Sequence, residues 1–150
     1  MKTLCLAAVL MLISGCHPMP SIKHETIGNS RSKHDFWRAY TRLTGDQIVR
    51  AFSDVVDQAT VVDGAGGMAT NHWYKDGRFN SNWQVADKTG QLAGRWYVEK
   101  EKRCVVIDTV VIDLQTGQPS CGPIYSKEGK YYSVNPSGSM HGIHVLTGFD

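Results

Sequence analysis

The 150-residue chain lacks most of the features that announce a function. It has four cysteines and five prolines, and its formal charge of +2 is close to balance. Cys5, Cys16, Cys104 and Cys121 contain no paired Cys-x-x-Cys spacing, which removes the strong signal for a zinc site. No Gly-x-Ser-x-Gly elbow is present, so one common serine-nucleophile architecture is excluded. The Gly64–Gly67 run has no following Lys-Ser/Thr and opens no helical pattern, so it reads as a turn rather than a phosphate loop. No basic stripe interleaved with aromatics is found, and nucleic acid is not an expected partner. No metal and no cofactor is expected.

Long apolar runs are also scarce. The clear one is Leu4–Ile13, shorter than the roughly 20 residues a membrane-spanning helix needs. Lys2 precedes it, and Ser14 and Gly15 follow, which is the anatomy of an export signal. The ending Ile13-Ser14-Gly15-Cys16 resembles the bacterial lipobox. That resemblance implies cleavage after residue 15 and a lipid on the Cys16 thiol. Residues 1–15 are then a signal peptide, and the mature protein meets the membrane through lipidated Cys16. Two or more acyl chains hold stably, at about 0.8 kcal/mol per buried CH₂. His17 rather than Asp follows the cysteine, so in a Gram-negative host the expected location is the outer membrane, facing the periplasm.

Residues 16–34 read as a flexible tether. Pro18, Pro20, Gly28, Asn29 and several serines interrupt any apolar period. A coil of this length reaches on the order of 20–25 Å. His17, His24 and His34 fall here at irregular spacing, which suits chance better than metal ligation. Residues 17–43 are mildly basic, with Lys23, Arg31, Lys33, Arg38 and Arg42 against Glu25 and Asp35. This reads as a solvated tether, with anionic headgroups or wall polymers as the functional alternative.

The third unit is residues 35–150. Phe36, Trp37, Tyr40 and Leu43 recur at near-helical spacing and are expected to pack on the domain; the alternative is an interfacial helix on the membrane. Thr44 and Gln47 form a capping-box pattern flanked by Leu43 and Ile48 as a staple. The helix is expected to bury Ile48, Val49, Phe52 and Val55 and to end near Asp54. From Ala59 the period changes to short runs broken every 8–12 residues by turn signals. Strands are expected at 59–62, 68–75, 78–85, 94–99, 103–114, 121–126, 130–134 and 141–149. Asp76-Gly77 and Glu128-Gly129 are hairpin turns, and 103–114 is one long strand or a hairpin broken at Asp108-Thr109. The fold class is mainly β: a small antiparallel meander barrel or half-barrel with one or two short N-terminal helices and one disulfide. A two-sheet sandwich is the alternative.

The disulfide follows from counting. Cys5 leaves with the signal and Cys16 carries lipid, so Cys104 and Cys121 remain in an exported protein. A two-cysteine metal site is the weaker alternative. From Leu43 onward the order "LTGDQI", "YKDGRF", "GRWYV", "RCVV", "SCGPIYSKEGKYY" and "GIHVLTGF" resembles small exported bacterial proteins with a lipocalin-like β-domain, most of them uncharacterised. The resemblance implies the half-barrel and supports the Cys104–Cys121 pairing. It brings no activity and no catalytic residues.

Chemistry is hard to place from spacing. His141 and His144 point to opposite faces if residues 141–149 are a strand, as do Asp108 and Asp113 in theirs. His72 is placed to approach Arg78 or Asn80 across the Asp-Gly hairpin. No nucleophile can be set beside a base, and no catalytic residue is assigned. Ser137-Gly138-Ser139 resembles a loop of small periplasmic lipoproteins that inhibit lysozyme, but Met140-His141 stands where those have Tyr. The aromatics are more suggestive: Trp73, Trp83, Trp96, Tyr97, Tyr125, Tyr131 and Tyr132 are many for one small domain. Alternation turns Trp73 from Tyr74 and Trp96 from Tyr97, so some must face outward and supply a binding surface. The expected function is a non-enzymatic, lipid-anchored envelope protein that binds a protein partner or a small apolar or wall ligand. An inhibitor of a wall-degrading enzyme and a small hydrolase are the alternatives.

Overall fold

A computed structural model describes residues 36–108 and 117–149. The signal segment, the tether with Cys16, and Asp113 lie outside the described residues. The elements in order are β1 Thr41–Arg42, α1 Gly45–Phe52, β2 Val55–Val61, β3 Gly67–Trp73, β4 Arg78–Val85, β5 Lys88–Glu99, β6 Lys102–Ile107, β7 Pro119–Gly122, β8 Ile124–Lys127, β9 Lys130–Val134 and β10 Met140–Gly148. All pairings are antiparallel, and the ten strands form one curled half-barrel in the order β1-β8-β9-β10-β2-β3-β4-β5-β6-β7.

That order is an up-and-down meander joined end to start. β10 returns to pair with β2 over seven residues, from Gly142↔Val61 to Gly148↔Val55. The break in the circuit falls between β7 and β8 instead. These two are one run of chain kinked at Pro123: the first half pairs with β6 and the second with β9 and β1. Proline has no N–H to give to a ladder, so a continuous strand stops there. One residue of linker brings both ends of the sheet to the same place, which we call the seam. Gly122 is required at it, because a Cβ would collide with the Val134 carbonyl oxygen of β9.

Helix α1 lies against the concave face. Thr44 Oγ1 accepts from Gln47 N and Gln47 Oε1 accepts from Thr44 N, completing the capping box. Glu101, on the turn after β5, accepts from Gly45 N at 2.6 Å and satisfies a further orphan donor. Ile48 and Phe52 are wholly buried against Leu43, Trp73, Phe79, Trp96 and Ile124. Each such side chain is worth about 1.5–3 kcal/mol of burial. Val49 departs from expectation: it is exposed, because the eight-residue helix presents only the i, i+4 stripe of Ile48 and Phe52 to the sheet. Val55 already belongs to β2.

β4 and β9 match their expected bounds, and both hairpin turns form, with Gly77 at φ 88° and Glu128-Gly129 at 52° and 74°. β5 begins six residues earlier than its expected start at Gly94. Cys104 and Cys121 sit directly opposite each other on β6 and β7 and are bonded, with S–S 2.02 Å. The bridge closes 17 residues of sequence separation, worth about 3 kcal/mol in the chain-entropy model.

Candidate functional site

Register, not sequence spacing, assembles the polar side chains inside the half-barrel. Asp57 on β2 faces Asn71 on β3, and both point inward beside Trp73. Asp57 Oδ2 accepts from Asn71 Nδ2 at 2.9 Å, from Trp73 Nε1 at 2.9 Å and from His144 Nδ1 at 2.8 Å. The other ring nitrogen of His144, Nε2, lies 2.8 Å from Ser133 Oγ on β9. With Nδ1–H committed to the carboxylate, a neutral imidazole accepts at Nε2, so Ser133 donates. The chain Ser133–His144–Asp57 therefore has the connectivity of a serine–histidine–aspartate relay.

Its electrostatics are those of a closed interior. Burial alone pushes the Asp57 carboxyl up, but hydrogen bonds from His144 and Trp73 and the charge of Arg103 outweigh it and hold it below its ordinary value. Burial pulls His144 down against the Asp57 hydrogen bond, so the ring is neutral at neutral pH. Arg103 lies over Phe52 at 4.4 Å and over Trp73 at 4.5 Å, and burial lowers it to about 10, partly offset by Asp57. Asp57 Oδ1 and Arg103 Nη1 are each buried without a hydrogen-bond partner among the described residues.

A relay acts only on a substrate that can reach it. Ser133 is 6% exposed and His144 4%. Gly142 of β10 lies over both, and a Cβ there would stand 3.3 Å from Ser133 Oγ and 3.4 Å from His144 Nε2. Phe52 packs on Tyr131 and His144 from the helix side. The network thus pins β2, β3, β9 and β10 together from inside.

His141 and His144 face different surroundings, as expected of them, with His141 at the irregularity in the β9–β10 pairing. His144 is buried, whereas His141 is exposed and lies 2.9 Å from Asp63. Asp63 also accepts from Asn135 Nδ2 at 2.7 Å; these bonds outweigh its partial burial and hold its carboxyl below the ordinary value. His72 pairs in register with Asn80 and stacks on Phe149. Asp108 is bonded by Arg95 through both guanidinium contacts at 3.1 Å. The Ser137-Gly138-Ser139 loop folds on itself: the two serine hydroxyls are 3.0 Å apart and Asn135 N donates to Ser139 O.

The seven aromatics divide in the same way. Trp73 and Trp96 are a correction to the expected surface, since both are core residues, 3% and 5% exposed. They stack edge-to-face on each other, and Trp73 also meets Phe79, because the inward parity of β3, β4 and β5 coincides at this depth. Tyr131 likewise turns toward Phe52. Trp83 is half-buried against Gly90 in a groove of about 410 Å³ across β3–β5. No ionisable side chain lines that groove, which is edged by the amides Gln58, Asn82, Gln84 and Gln91. Tyr97 is exposed at 41%.

Tyr125 and Tyr132 belong to the seam. Arg42 pairs in register with Tyr125, and Tyr125 with Tyr132, so the three form one cross-strand row. The turn before β1 folds onto that row: Trp37 stacks on Tyr125 at 4.6 Å and 22°, and Tyr40 meets Tyr132 edge-on at 4.8 Å. The expectation that this N-terminal stripe packs on the domain holds for Trp37, Tyr40 and Leu43, whereas Phe36 is exposed and lies against Trp37 and Tyr40. Beside the Trp37–Tyr125 wall lies an open groove of about 440 Å³, also edged by Arg42, Lys102, Pro123 and Asn135.

Sequence reasoning passed over Asp57, Ser133 and Arg103, and at the seam Lys102. A signal existed for Asp57 and Arg103: each sits at an inward position of an otherwise apolar alternation, Val55-x-Asp57-x-Ala59 and Arg103-x-Val105-x-Ile107. None existed for Ser133, which lies 76 residues of chain from Asp57 and meets it only through His144. Set against known proteins, the chain matches no family model, no curated protein and no solved structure.

Proposed function

We propose that this is a lipid-anchored protein of the bacterial cell envelope with a non-enzymatic binding role. Cys16 carries the anchor, residues 16–34 give reach, and the β-domain engages its partner at the seam. In a Gram-negative host the anchor lies in the outer membrane, facing the periplasm. The observation that carries this reading is the seam groove. Helix α1 and the aromatic core occupy the concave face, where a barrel of this kind would take a small apolar ligand. The seam instead offers an exposed cavity with a flat aromatic wall and two cations, the composition of a recognition surface.

The test is in-cell photo-cross-linking of the full chain with the cross-linker at Tyr125, and at Asn82 in the opposite groove as control. A discrete adduct from Tyr125, absent from Asn82 and lost in Cys16→Ala, is expected. Equal or no adducts from the two positions would remove the seam as the binding site. The mass of the mature chain checks the anchor directly: lipid on a new N-terminal Cys16 is expected.

A second reading, a small hydrolase, is favoured by one observation, the Ser133–His144–Asp57 relay. A serine-directed phosphonate probe separates the two. The folded protein is expected to stay unlabelled, because Ser133 is enclosed. Stoichiometric labelling at Ser133, lost in His144→Ala, would replace the binding reading with an enzymatic one.

A further inference from the structure

We infer that the seam groove binds a phosphate monoester whose organic part is planar or apolar. The inference rests on the seam being a binding site and names what it takes. The groove is lined by two cations and no acid: Arg42 from β1 and Lys102 from the start of β6. Neither has an ion pair or side-chain hydrogen bond among the described residues. Three acids stand nearby: Glu99, opposite Lys102 in register, lies 3.8 Å from Lys100, and the other two are engaged elsewhere. Glu101, adjacent to Lys102, is bonded to Gly45 N, and Asp63 is held by Asn135 and His141. Among the described residues, two cations without an ion pair thus face one cavity.

The charge count selects among anions. A phosphate monoester carries about −1.5 to −2 at neutral pH and offers three acceptor oxygens, whereas a carboxylate would leave one of the two cations uncompensated. The fork of Arg42 suits two of those oxygens, and Lys102 acts as a point charge on the third. The rest of the ligand meets the stacked Trp37–Tyr125 wall and the Pro123 and Pro136 rings, none of which presents a polar side-chain group other than the indole N–H and phenol. The site is rigid where it matters. Pro123 fixes the kink, Gly122 is packed on Val134, and Cys121 is held in its disulfide. A free phosphate ester and a phosphomonoester lipid headgroup share this chemistry.

The test uses the full chain carrying Cys16→Ala, with phenyl phosphate as the soluble probe and benzoate as the carboxylate control. The readout is the Trp37 indole N–H resonance, assigned by Trp37→Phe. Saturable displacement by phenyl phosphate is expected, with benzoate weaker. Affinity should rise as pH passes upward through about 6, where the second phosphate proton is lost. Arg42→Gln with Lys102→Gln should weaken binding about tenfold or more, with the circular dichroism spectrum unchanged. Vesicles of phosphatidylcholine with and without phosphatidate assign the source. Capture only on phosphatidate vesicles, lost in the double variant, points to a headgroup; phenyl phosphate binding without vesicle capture points to a soluble ester. No displacement by phenyl phosphate, or equal displacement in the double variant, overturns the inference. A Tyr125 cross-link that persists in that event leaves the seam as a binding site for something other than a phosphate ester.

Discussion

Two arginines on this half-barrel teach opposite lessons. Arg103 is buried between two rings with Asp57 nearby, and Arg42 is exposed at the seam with no acid beside it in the groove. Inside, Asp57 Oδ2, His144, Ser133 and Asn71 each hold a defined partner, with Asp57 Oδ1 and Arg103 Nη1 left unpartnered among the described residues. At the seam, charge is left open. A buried network that is mostly satisfied costs dearly when any member is lost, whereas an exposed cation contributes little to folding and is free to serve a ligand. Chemistry with the connectivity of a catalytic relay thus sits among buried side chains, and the open seam groove holds no nucleophile beside a base among the described residues that line it.

The comparison breaks most visibly at Asp57. Asp57→Ala leaves Arg103 without its counter-charge and removes one acceptor from three donors. A loss of about 3–5 kcal/mol is expected in urea unfolding. A change near zero would mean the interior network is not a strut. The disulfide comes next. Cys104→Ala with Cys121→Ala should lower stability by about 3 kcal/mol through loop entropy, with the fold retained.

Acid should reach the interior before the seam. The folded His144 lies below its ordinary value, so the unfolded chain takes up the proton first. Stability then falls as pH drops through about 6.5 toward the lower folded value. Asp57 is also below its ordinary value; its contribution is present above about 3.9 and is lost as pH falls through the folded value. Thermal midpoints measured from pH 8 to 3 should decline in both windows. His144→Gln should flatten the upper one and leave the lower. The smallest effect is expected from Arg42→Gln with Lys102→Gln, within about 0.5 kcal/mol by the same unfolding measurement. A larger loss would give these cations a structural role and blur the contrast.

Much of the architecture could be read from the chain alone. Thr44 and Gln47 cap a helix by local hydrogen bonds, Asp76-Gly77 and Glu128-Gly129 turn hairpins by their own backbone preferences, and alternation separates Trp96 from Tyr97. These depend on residues a few positions apart. The site was much less legible. The aromatic count singled out Tyr125 and Tyr132, which lie at the seam, but it could not tell them from Trp73, Trp96 and Tyr131, which turn into the core.

What the sequence determined by itself, then, is local: strand periodicity, caps, turns and the two cysteines left to pair within the domain. Only the tertiary structure decided the rest. β10 returning to β2 sets His144 against Asp57 across 87 residues, and the kink at Pro123 brings the sheet ends, and with them Arg42 and Lys102, to one groove. The physical reason is that a period of two names a face but not a neighbour. Register and curl choose the neighbour, and they are settled by the whole core at once.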